Sequence, residues 1–378
     1  MTNTKNILVF LPNWVGDVVM ATPALRALRG AYPKARIAYL GRPVAIETVR
    51  GTPWADELIV DESSKKGLCE FAKLAMHLRG MHFDLAVLLP NSFRTALLAR
   101  VGAGVGEVIG YDRDGRGMLL TRKLAPQRDE EGQFTPVPTI DYYNAIVREL
   151  GGQDLNWQMQ LHVQEQDQRQ ADSLLREAGW TTDFRDSVQS PRTARVGQDQ
   201  HPLVMLNPGA SFGPSKLWPA DRFAAVADEL IARRGAAIII NAAPAEKEIA
   251  QAVESAMKHK PLINFAGRPN SLGLLKGLLG RCDLLITNDT GARHIAAACG
   301  AGLVTIFGST DPTWARIDYP RERTIRVDVP CSPCQQKECT QPPGATYHQC
   351  MAAIGPEMVL SAALEVLDSS PAPQRGTL

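Results

Sequence analysis

The chain has 378 residues, enough for two domains of ordinary size rather than one large core. Hydrophobic residues make up 44% of it and charged residues 21%, which is typical of a soluble globular enzyme. The 41 basic and 40 acidic side chains give a formal net charge of +1, which argues against a nucleic-acid partner held by bulk positive charge.

The first half of the chain alternates strand and helix patterns. Residues 6–11 (NILVFL) form an apolar run typical of a buried parallel strand, and residues 18–31 have helical periodicity. Further strands are expected at residues 35–40, 57–60 and 85–89, with helix patterns between most of them. This alternation predicts βαβ units and a parallel sheet in a first domain, residues 1–180, which ends in a polar helix.

Residues 181–202 are rich in Thr, Ser, Arg, Gln and Asp and lack periodicity. We interpret them as an interdomain linker; a long surface loop within one domain is the alternative. The α/β alternation then resumes in a second domain, residues 203–355. Its expected strands cover 203–207, 236–241, 284–287 and 303–307, and its expected helices cover 219–234, 246–258 and 291–300. A last helix is expected at 356–368 and a disordered tail at 369–378.

No stretch of the sequence has the character of a signal peptide or a membrane span. The apolar run at residues 7–11 is too short for the apolar core of a signal peptide, and no run reaches the roughly 18 residues that a spanning helix needs. We therefore expect a cytoplasmic protein, in which thiols stay reduced.

Ligands of parallel α/β sheets bind outside the carboxyl ends of the strands, so the residues after each strand are the first candidates. Asp17 follows the first strand, within Asn13-Trp14-Val15-Gly16-Asp17. A carboxylate there can act as a catalytic base. It can also cap the next helix, and spacing alone favours the capping role.

Two further candidates follow strands in the second half. The stretch 207–219 (NPGASFGPSKLWP) places Lys216 just before a helix, where it can hold a phosphate or can be a solvated loop residue. The stretch 288–294 places Asp289, Thr290 and Gly291 at a helix start. Its amides could receive a pyrophosphate, with His294 in the first turn; the alternative is a capped helix with a half-buried histidine.

These three sites, in this order, resemble the ADP-heptose:lipopolysaccharide heptosyltransferase family, most of all its type II members. The matching stretches are 12–29 (PNWVGDVVMATPALRALR), 207–230 (NPGASFGPSKLWPADRFAAVADEL) and 287–312 (TNDTGARHIAAACGAGLVTIFGSTDP), within a likeness that covers nearly the whole chain. The resemblance implies a GT-B fold, with two Rossmann-like parallel-sheet domains that face each other across a cleft. The first would bind the acceptor and the second the nucleotide-sugar donor.

The resemblance also implies residue roles. Asp17 corresponds to the catalytic base, Lys216 to the contact with the donor phosphates, and Glu246 to the carboxylate that holds the ribose. The remaining donor-binding candidates are Ser211, Asp289, Thr290, Gly291 and His294. Two departures, Arg293 in place of a smaller residue and the Gly-rich stretch 102–117, leave the choice of acceptor open.

The implied reaction is an inverting transfer of heptose from ADP-heptose to a hydroxyl of the lipopolysaccharide inner core. Asp17 would take the hydroxyl proton, and Lys216 with the helix amides would stabilise the leaving diphosphate without an obligatory metal. Whether Mg²⁺ assists, and which oligomer forms, the sequence leaves open. The alternatives are a GT-B enzyme with another nucleotide sugar, a non-catalytic nucleotide-sugar-binding protein, and a nucleotide-sugar epimerase.

The implied acceptor is a phosphorylated, lipid-anchored core oligosaccharide, reached by peripheral contact with the inner face of the cytoplasmic membrane. Residues 92–128 carry seven basic and three acidic side chains, which fits an anionic acceptor; an ordinary solvated loop is an equal alternative. Arg94 and Arg113 are the acceptor-binding candidates from this stretch.

Four cysteines lie in a Cys-rich loop at residues 330–350, with the spacing C-x2-C-x4-C-x10-C. Such thiolates can complete a tetrahedral structural zinc site, and such a site would leave no open position for catalysis. Free thiols are an equal alternative, and disulfides are disfavoured in a reducing compartment. The four residues are Cys331, Cys334, Cys339 and Cys350.

Overall fold

The computed structural model describes residues 4–63, 67–180 and 201–369. Contacts divide the chain into two compact units, the first formed by Met1–His162 with Thr313–Asp318 and the second by the remainder. The predicted linker at 181–202 falls almost wholly, and the predicted tail at 369–378 all but its first residue, outside the described residues.

Each unit contains one six-stranded sheet in which all the strand pairs are parallel. The strands of the first are β1 (Asn6–Phe10), β2 (Arg36–Gly41), β3 (Glu57–Val60), β4 (Leu85–Leu88), β5 (Glu107–Tyr111) and β6 (Arg122–Leu124). Those of the second are β7 (Leu203–Asn207), β8 (Ala237–Ile240), β9 (Ile263–Asn264), β10 (Leu284–Asn288), β11 (Gly302–Ile306) and β12 (Glu322–Ile325).

Helices lie between the strands. In the first unit they are α1 (Val15–Met20), α2 (Thr22–Ala31), α3 (Pro43–Val49), α4 (Leu68–Gly80), α5 (Phe93–Leu97) and α6 (Thr139–Arg148). In the second they are α7 (Glu165–Glu177), α8 (Ala220–Arg234), α9 (Lys247–Ala256), α10 (Leu272–Leu279), α11 (Gly291–Ala298), α12 (Gln349–Ala352) and α13 (Pro356–Asp368).

The two sheets share one strand order, β3-β2-β1-β4-β5-β6 in the first unit and β12-β11-β10-β7-β8-β9 in the second. Counted within each unit, both orders are 3-2-1-4-5-6, the doubly wound Rossmann arrangement. The order reverses between β1 and β4 in one sheet and between β7 and β10 in the other. A ligand crevice is expected at the carboxyl ends of these central strands, which are buried along almost their whole length.

One predicted boundary is wrong. The expected first domain, residues 1–180, includes helix α7, yet this helix belongs to the second unit, where it packs on α10. Gly273 and Gly277 of α10 make this approach possible. A Cβ atom on Gly273 would lie 2.4 Å from Oδ1 of Asp167, and one on Gly277 would lie 2.7 Å from the Asp167 carbonyl oxygen. The unit boundary therefore falls at residue 162, before the helix, and not at 180.

Candidate active site

The carboxylate of Asp17 lies at the switch point of the first sheet. Trp14 is the N-cap residue of α1, its side chain makes no capping hydrogen bond, and Asp17 lies in the first turn. The interpretation of Asp17 as the helix cap is therefore wrong, because a capping side chain belongs to the residue before that turn. Asp17 is half-buried. Burial, and after it the Asp17 charge, hold the pKa of the nearby Tyr143 well above its ordinary value.

The two acceptor candidates have different surroundings. Arg94 forms an ion pair with Asp61, 3.0 Å from Nη1 to Oδ2, and donates to the hydroxyl of Ser63. The guanidinium of Arg113 instead stacks 3.8 Å from the ring centroid of Phe134, and its buried Nε has no hydrogen-bond partner in the described part of the chain. The charge of Arg94 is thus largely neutralised within the fold, whereas Arg113 contacts the Phe134 ring and the Tyr142 hydroxyl and pairs with no carboxylate among the described residues.

Other basic residues of the 92–128 stretch also serve the fold. Arg116 is fully buried and donates to the carbonyl oxygens of Tyr111, at 2.9 Å, and Pro90. Burial lowers the pKa of Arg116 to about 10, so it stays charged at neutral pH. Arg122 pairs with Glu107. The surplus of positive charge read from the sequence is therefore only partly available to a ligand.

The strongest polar cluster lies at the switch point of the second sheet. Lys216 ends a short 3₁₀ turn, and its Nζ lies 2.5 Å from Oδ2 of Asp289 and 3.1 Å from the Asp289 carbonyl oxygen. Thr310, four residues beyond the end of β11, donates to the same Oδ2 at 3.0 Å. Lys216 is therefore a fixed, largely buried ammonium and not the solvated loop residue of the alternative.

The charge state of Asp289 follows from these neighbours. Burial acts to raise the pKa of this carboxyl, but the positive charges of Lys216 and Arg293 outweigh it and lower the pKa. Arg293 itself is buried in an ion pair with Glu322, 2.6 Å from Nε to Oε1. This departure from the family pattern therefore serves the interior of the second unit.

Helix α11 begins where the resemblance places a diphosphate. Thr290 is its N-cap residue, but the Thr290 side chain makes no capping hydrogen bond, so the first amides of the helix are not satisfied by it. The Thr290 hydroxyl instead accepts from Nδ2 of Asn207 at 3.1 Å. A helix start of this kind attracts anions through its amides and its dipole.

A chain of side-chain hydrogen bonds joins the carboxyl ends of β7, β8 and β10 to Asn270, on the loop before α10. Asn270 donates to Asn241 at 2.6 Å, Asn241 donates to Asn207 at 2.7 Å, and Asn207 donates to Thr287 at 3.0 Å. Asn207 begins the candidate stretch 207–219, whereas Asn241 and Asn270 are not among the predicted site residues. Asn241 directly follows β8 and Thr310 lies four residues after β11, so both carry the same signal, a polar residue beyond the carboxyl end of a strand.

Two further donor candidates differ in their placement. A Cβ atom on Gly209 would lie 2.2 Å from a carboxyl oxygen of Glu246, so only glycine lets this carboxylate reach the end of β7. Glu246 is the N-cap residue of α9, and its Oε2 accepts from the amide of Ala243 at 3.2 Å. Ser211 is exposed on the loop before Lys216.

His294 is buried, with 3% of its surface exposed, rather than half-buried. Burial, and after it the charge of Arg293, lower the pKa of His294 to about 3. Its Nδ1 has no hydrogen-bond partner among the residues that the structure describes. The imidazole is thus neutral at neutral pH and can act there as a hydrogen-bonding group, not as a cation.

Comparison with known proteins assigns the family. The description "Glycosyltransferase family 9 (heptosyltransferase)" matches residues 71–344. The chain belongs to glycosyltransferase family 9. Lipopolysaccharide heptosyltransferase 2 of Salmonella typhimurium is 28% identical over 367 residues, 94% of this chain and 96% of that protein.

Solved structures agree with this family 9 assignment. The structure of Escherichia coli ADP-heptose lipopolysaccharide heptosyltransferase II is 26% identical with a TM-score of 0.73, covering 96% of this chain and 98% of that one. A family 9 glycosyltransferase from Veillonella parvula is 24% identical with a TM-score of 0.76, covering 96% and 97%. The fold is thus of the GT-B type, with two Rossmann-like units, and the protein is a glycosyltransferase.

Because His294 is buried in its neutral form, we expect the stability of this family 9 enzyme to depend on pH. Between about pH 6.5 and pH 3 the unfolded chain binds a proton on this residue that the folded chain does not, so the free energy of unfolding must fall as the pH drops through that window. We expect a loss of about 2 kcal/mol between pH 7 and pH 5. Urea titrations of His294→Gln should show a weaker dependence, whereas the exposed His77→Gln should keep that of the wild type. An equal slope in all three proteins would contradict this account.

The four cysteines approach one another without forming a ligand set. Burial, and after it the thiols of Cys331, Cys334 and Cys339, raise the pKa of Cys350. Across residues 4–63, 67–180 and 201–369, however, no group of three or more His, Cys, Asp or Glu side chains is arranged to hold a metal ion. A zinc site would need the thiols to converge further, and it stays a prediction.

The zinc prediction can be tested directly by measuring the metal content of the purified protein. Because a C-x2-C pair brings two thiolates to one ion, protein purified without chelator should contain near-stoichiometric zinc. The double variant Cys331→Ser, Cys334→Ser should lose it, and the exposed Cys69→Ser should retain it. Elemental analysis decides; metal-free protein that is folded and active would overturn the prediction.

No helix of the described segments is long and apolar enough to cross a membrane.

Proposed function

We propose that this family 9 enzyme transfers heptose from ADP-heptose to a hydroxyl group of the lipopolysaccharide inner core, with inversion at the anomeric carbon. The observation that carries the donor part is the Lys216–Asp289 pair beside the uncapped start of α11, at the switch point of the second sheet. The ammonium group of Lys216 and the first amides of α11 lie at the same carboxyl edge of the sheet. Such groups bind a diphosphate and stabilise it as it leaves.

In this proposal the donor site is built from the second unit. Lys216 contacts the diphosphate, the amides of Thr290 and Gly291 bind its oxygens, and Glu246 binds the ribose hydroxyls. Asp289 keeps Lys216 oriented and charged, which the 2.5 Å contact supports.

Two further residues complete the proposed donor site. Neutral His294 supplies a hydrogen bond, and exposed Ser211 completes the phosphate contacts. In this proposal no metal ion is needed to stabilise the leaving diphosphate, because Lys216 and the helix amides supply the positive charge.

The base is Asp17 of the first unit. Its carboxylate follows β1, at the edge where a Rossmann sheet binds ligands, and is half-buried. We propose that it accepts the proton of the attacking acceptor hydroxyl, while the bond between the anomeric carbon and the diphosphate oxygen breaks. The adjacent Trp14 is 61% exposed, and its ring offers an apolar face to a sugar.

The acceptor is proposed to be a phosphorylated, lipid-anchored oligosaccharide that the enzyme meets in the cytoplasm, at the inner face of the membrane. Arg113 is the better supported of the two arginine candidates, since Arg94 is paired with Asp61. A cavity of about 470 Å³ at the ends of β5 and β6 is lined by Lys123 and Arg148 together with the carboxylates of Asp141 and Glu149. Its size and mixed polarity fit part of a saccharide.

The test incubates the purified enzyme with ADP-, UDP- and GDP-sugars and with heptose-primed core acceptor, phosphorylated or enzymatically dephosphorylated. Mass spectrometry should detect heptose transfer from ADP-heptose alone and a preference for the phosphorylated acceptor. Transfer from another nucleotide sugar would replace the donor assignment. Tight ADP-sugar binding without any product would instead favour a binding protein.

A further inference from the structure

We propose that Ser215 and His348 are positioning residues of the donor site, through which the Cys-rich segment, the loop of residues 330–350, holds Lys216 in place. This inference rests on the proposed function, in which Lys216 contacts the donor diphosphate. It assigns a role in donor binding to a segment that carries none of the predicted donor residues.

Ser215 precedes Lys216 in the 3₁₀ turn and is 2% exposed. Its Oγ donates to the Gln336 carbonyl oxygen at 2.6 Å, and its amide donates to the Lys337 carbonyl oxygen at 3.0 Å. Nε2 of His348 donates to the Ser215 carbonyl oxygen at 2.9 Å. The amide, the carbonyl and the hydroxyl of this one residue are therefore all bound by the Cys-rich segment.

The contact is close because the facing residue is glycine. A Cβ atom on Gly213 would lie 2.4 Å from the Lys337 carbonyl oxygen, so no other residue fits there without a shift of the backbone. The Cys-rich segment is itself anchored to the loop after β11. Ser332 donates to the Gly308 carbonyl oxygen at 2.6 Å, and the amide of Gln335 donates to the Ser309 carbonyl oxygen at 2.8 Å.

The contacts close into a ring around the ammonium group. Oγ of Ser215 lies 2.9 Å from Oγ of Ser309, and the next residue, Thr310, donates to Asp289, which binds Lys216. The backbone and the side chain of Lys216 are thus fixed from two sides. A three-residue turn has little stability of its own, and a lysine side chain loses much rotamer freedom when it is held, so fixing both before the donor arrives strengthens binding.

A double-mutant cycle between Ser215 and Lys216 tests the inference. Ser215→Ala should weaken ADP binding about tenfold by calorimetry and lower kcat, because a displaced ammonium loses charge-assisted contacts in both the ground state and the transition state. In the Lys216→Ala background the same substitution should change ADP affinity less than about twofold, since residues that act as a unit are not additive. Val366→Ala, in α13, is the control for lost stability alone; it should lower Tm and leave ADP affinity unchanged.

A second pair of variants, both at His348, tests the inference even if the Ser215 variant does not fold. His348→Ala should reproduce the loss of ADP affinity, and His348→Gln should restore most of it, because the glutamine amide can still donate to the Ser215 carbonyl oxygen. Multiplicative effects of Ser215→Ala and Lys216→Ala, or equal affinities of the Ala and Gln variants at His348, would overturn the positioning role. An unchanged ADP affinity of Lys216→Ala alone would instead overturn the donor role of Lys216 in the proposed function.

Discussion

Replacing Asp17 with Asn should lower turnover by about 10²–10⁴-fold, the usual effect of losing a general base, with little change in donor affinity. Asn has nearly the shape of Asp but cannot accept the proton of the acceptor hydroxyl at neutral pH. The measurement is steady-state turnover with ADP-heptose and core acceptor, together with calorimetry of ADP binding.

The control for Asp17 is another carboxylate in the first turn of a helix. Asp221 has this position in α8 and is exposed. Both substitutions remove a favourable interaction with a helix dipole, typically worth about 0.3–1 kcal/mol, so both should lower stability slightly. Only Asp17→Asn should lower turnover. Near-normal turnover in that variant would show that the base lies elsewhere.

Lys216→Ala should weaken ADP binding by about 10- to 100-fold, the range expected for a charge-assisted hydrogen bond. Turnover should fall as well, by about 10²–10³-fold, because negative charge on the diphosphate increases in the transition state. Calorimetry with ADP and steady-state kinetics measure the two effects separately.

This substitution also leaves the buried Asp289 without its ammonium partner, so some stability is lost. Lys247→Ala, at an exposed position at the start of α9, is the matched control and should bind ADP as the wild type does. Unchanged ADP affinity and unchanged turnover in Lys216→Ala would mean that the residue serves the fold alone.

The central strands could be predicted from the sequence because they are continuous apolar runs. Residues 203–207 and 284–287 agree with β7 and β10 to within one residue. Of the four edge strands of the two sheets, β3 alone is predicted, at residues 57–60. Strand β5 lies in the Gly-rich stretch 102–117 and is not predicted. The edge strands β6, β9 and β12 are not predicted either. They are two to four residues long and only partly apolar, so neither length nor periodicity distinguishes them from loops.

The candidate site was predicted in part for a related reason. Lys216 and Asp289 come after β7 and β10, whose apolar runs are easy to recognise. Their positions at neighbouring strand ends could therefore be inferred, but the 2.5 Å contact between them could not. Ser215 and His348 meet across 133 positions of sequence, and nothing in either local pattern indicates the other. Arg94 and Arg113 looked alike as basic loop residues, because the partner of Arg94 lies 33 residues earlier.

The first unit includes six residues, Thr313–Asp318, that come after most of the second unit in the sequence. They are held there by Thr139, whose amide and hydroxyl donate to the Trp314 carbonyl oxygen at 3.0 and 2.7 Å, and by Arg316, which stacks 5.4 Å from the ring centroid of Trp157. Recombination between two family members at a single crossover near residue 162 would therefore separate these six residues from the body they belong to. A chimera that exchanges the whole first unit must import them as a second, internal segment, and homologous genes that recombine in nature face the same constraint.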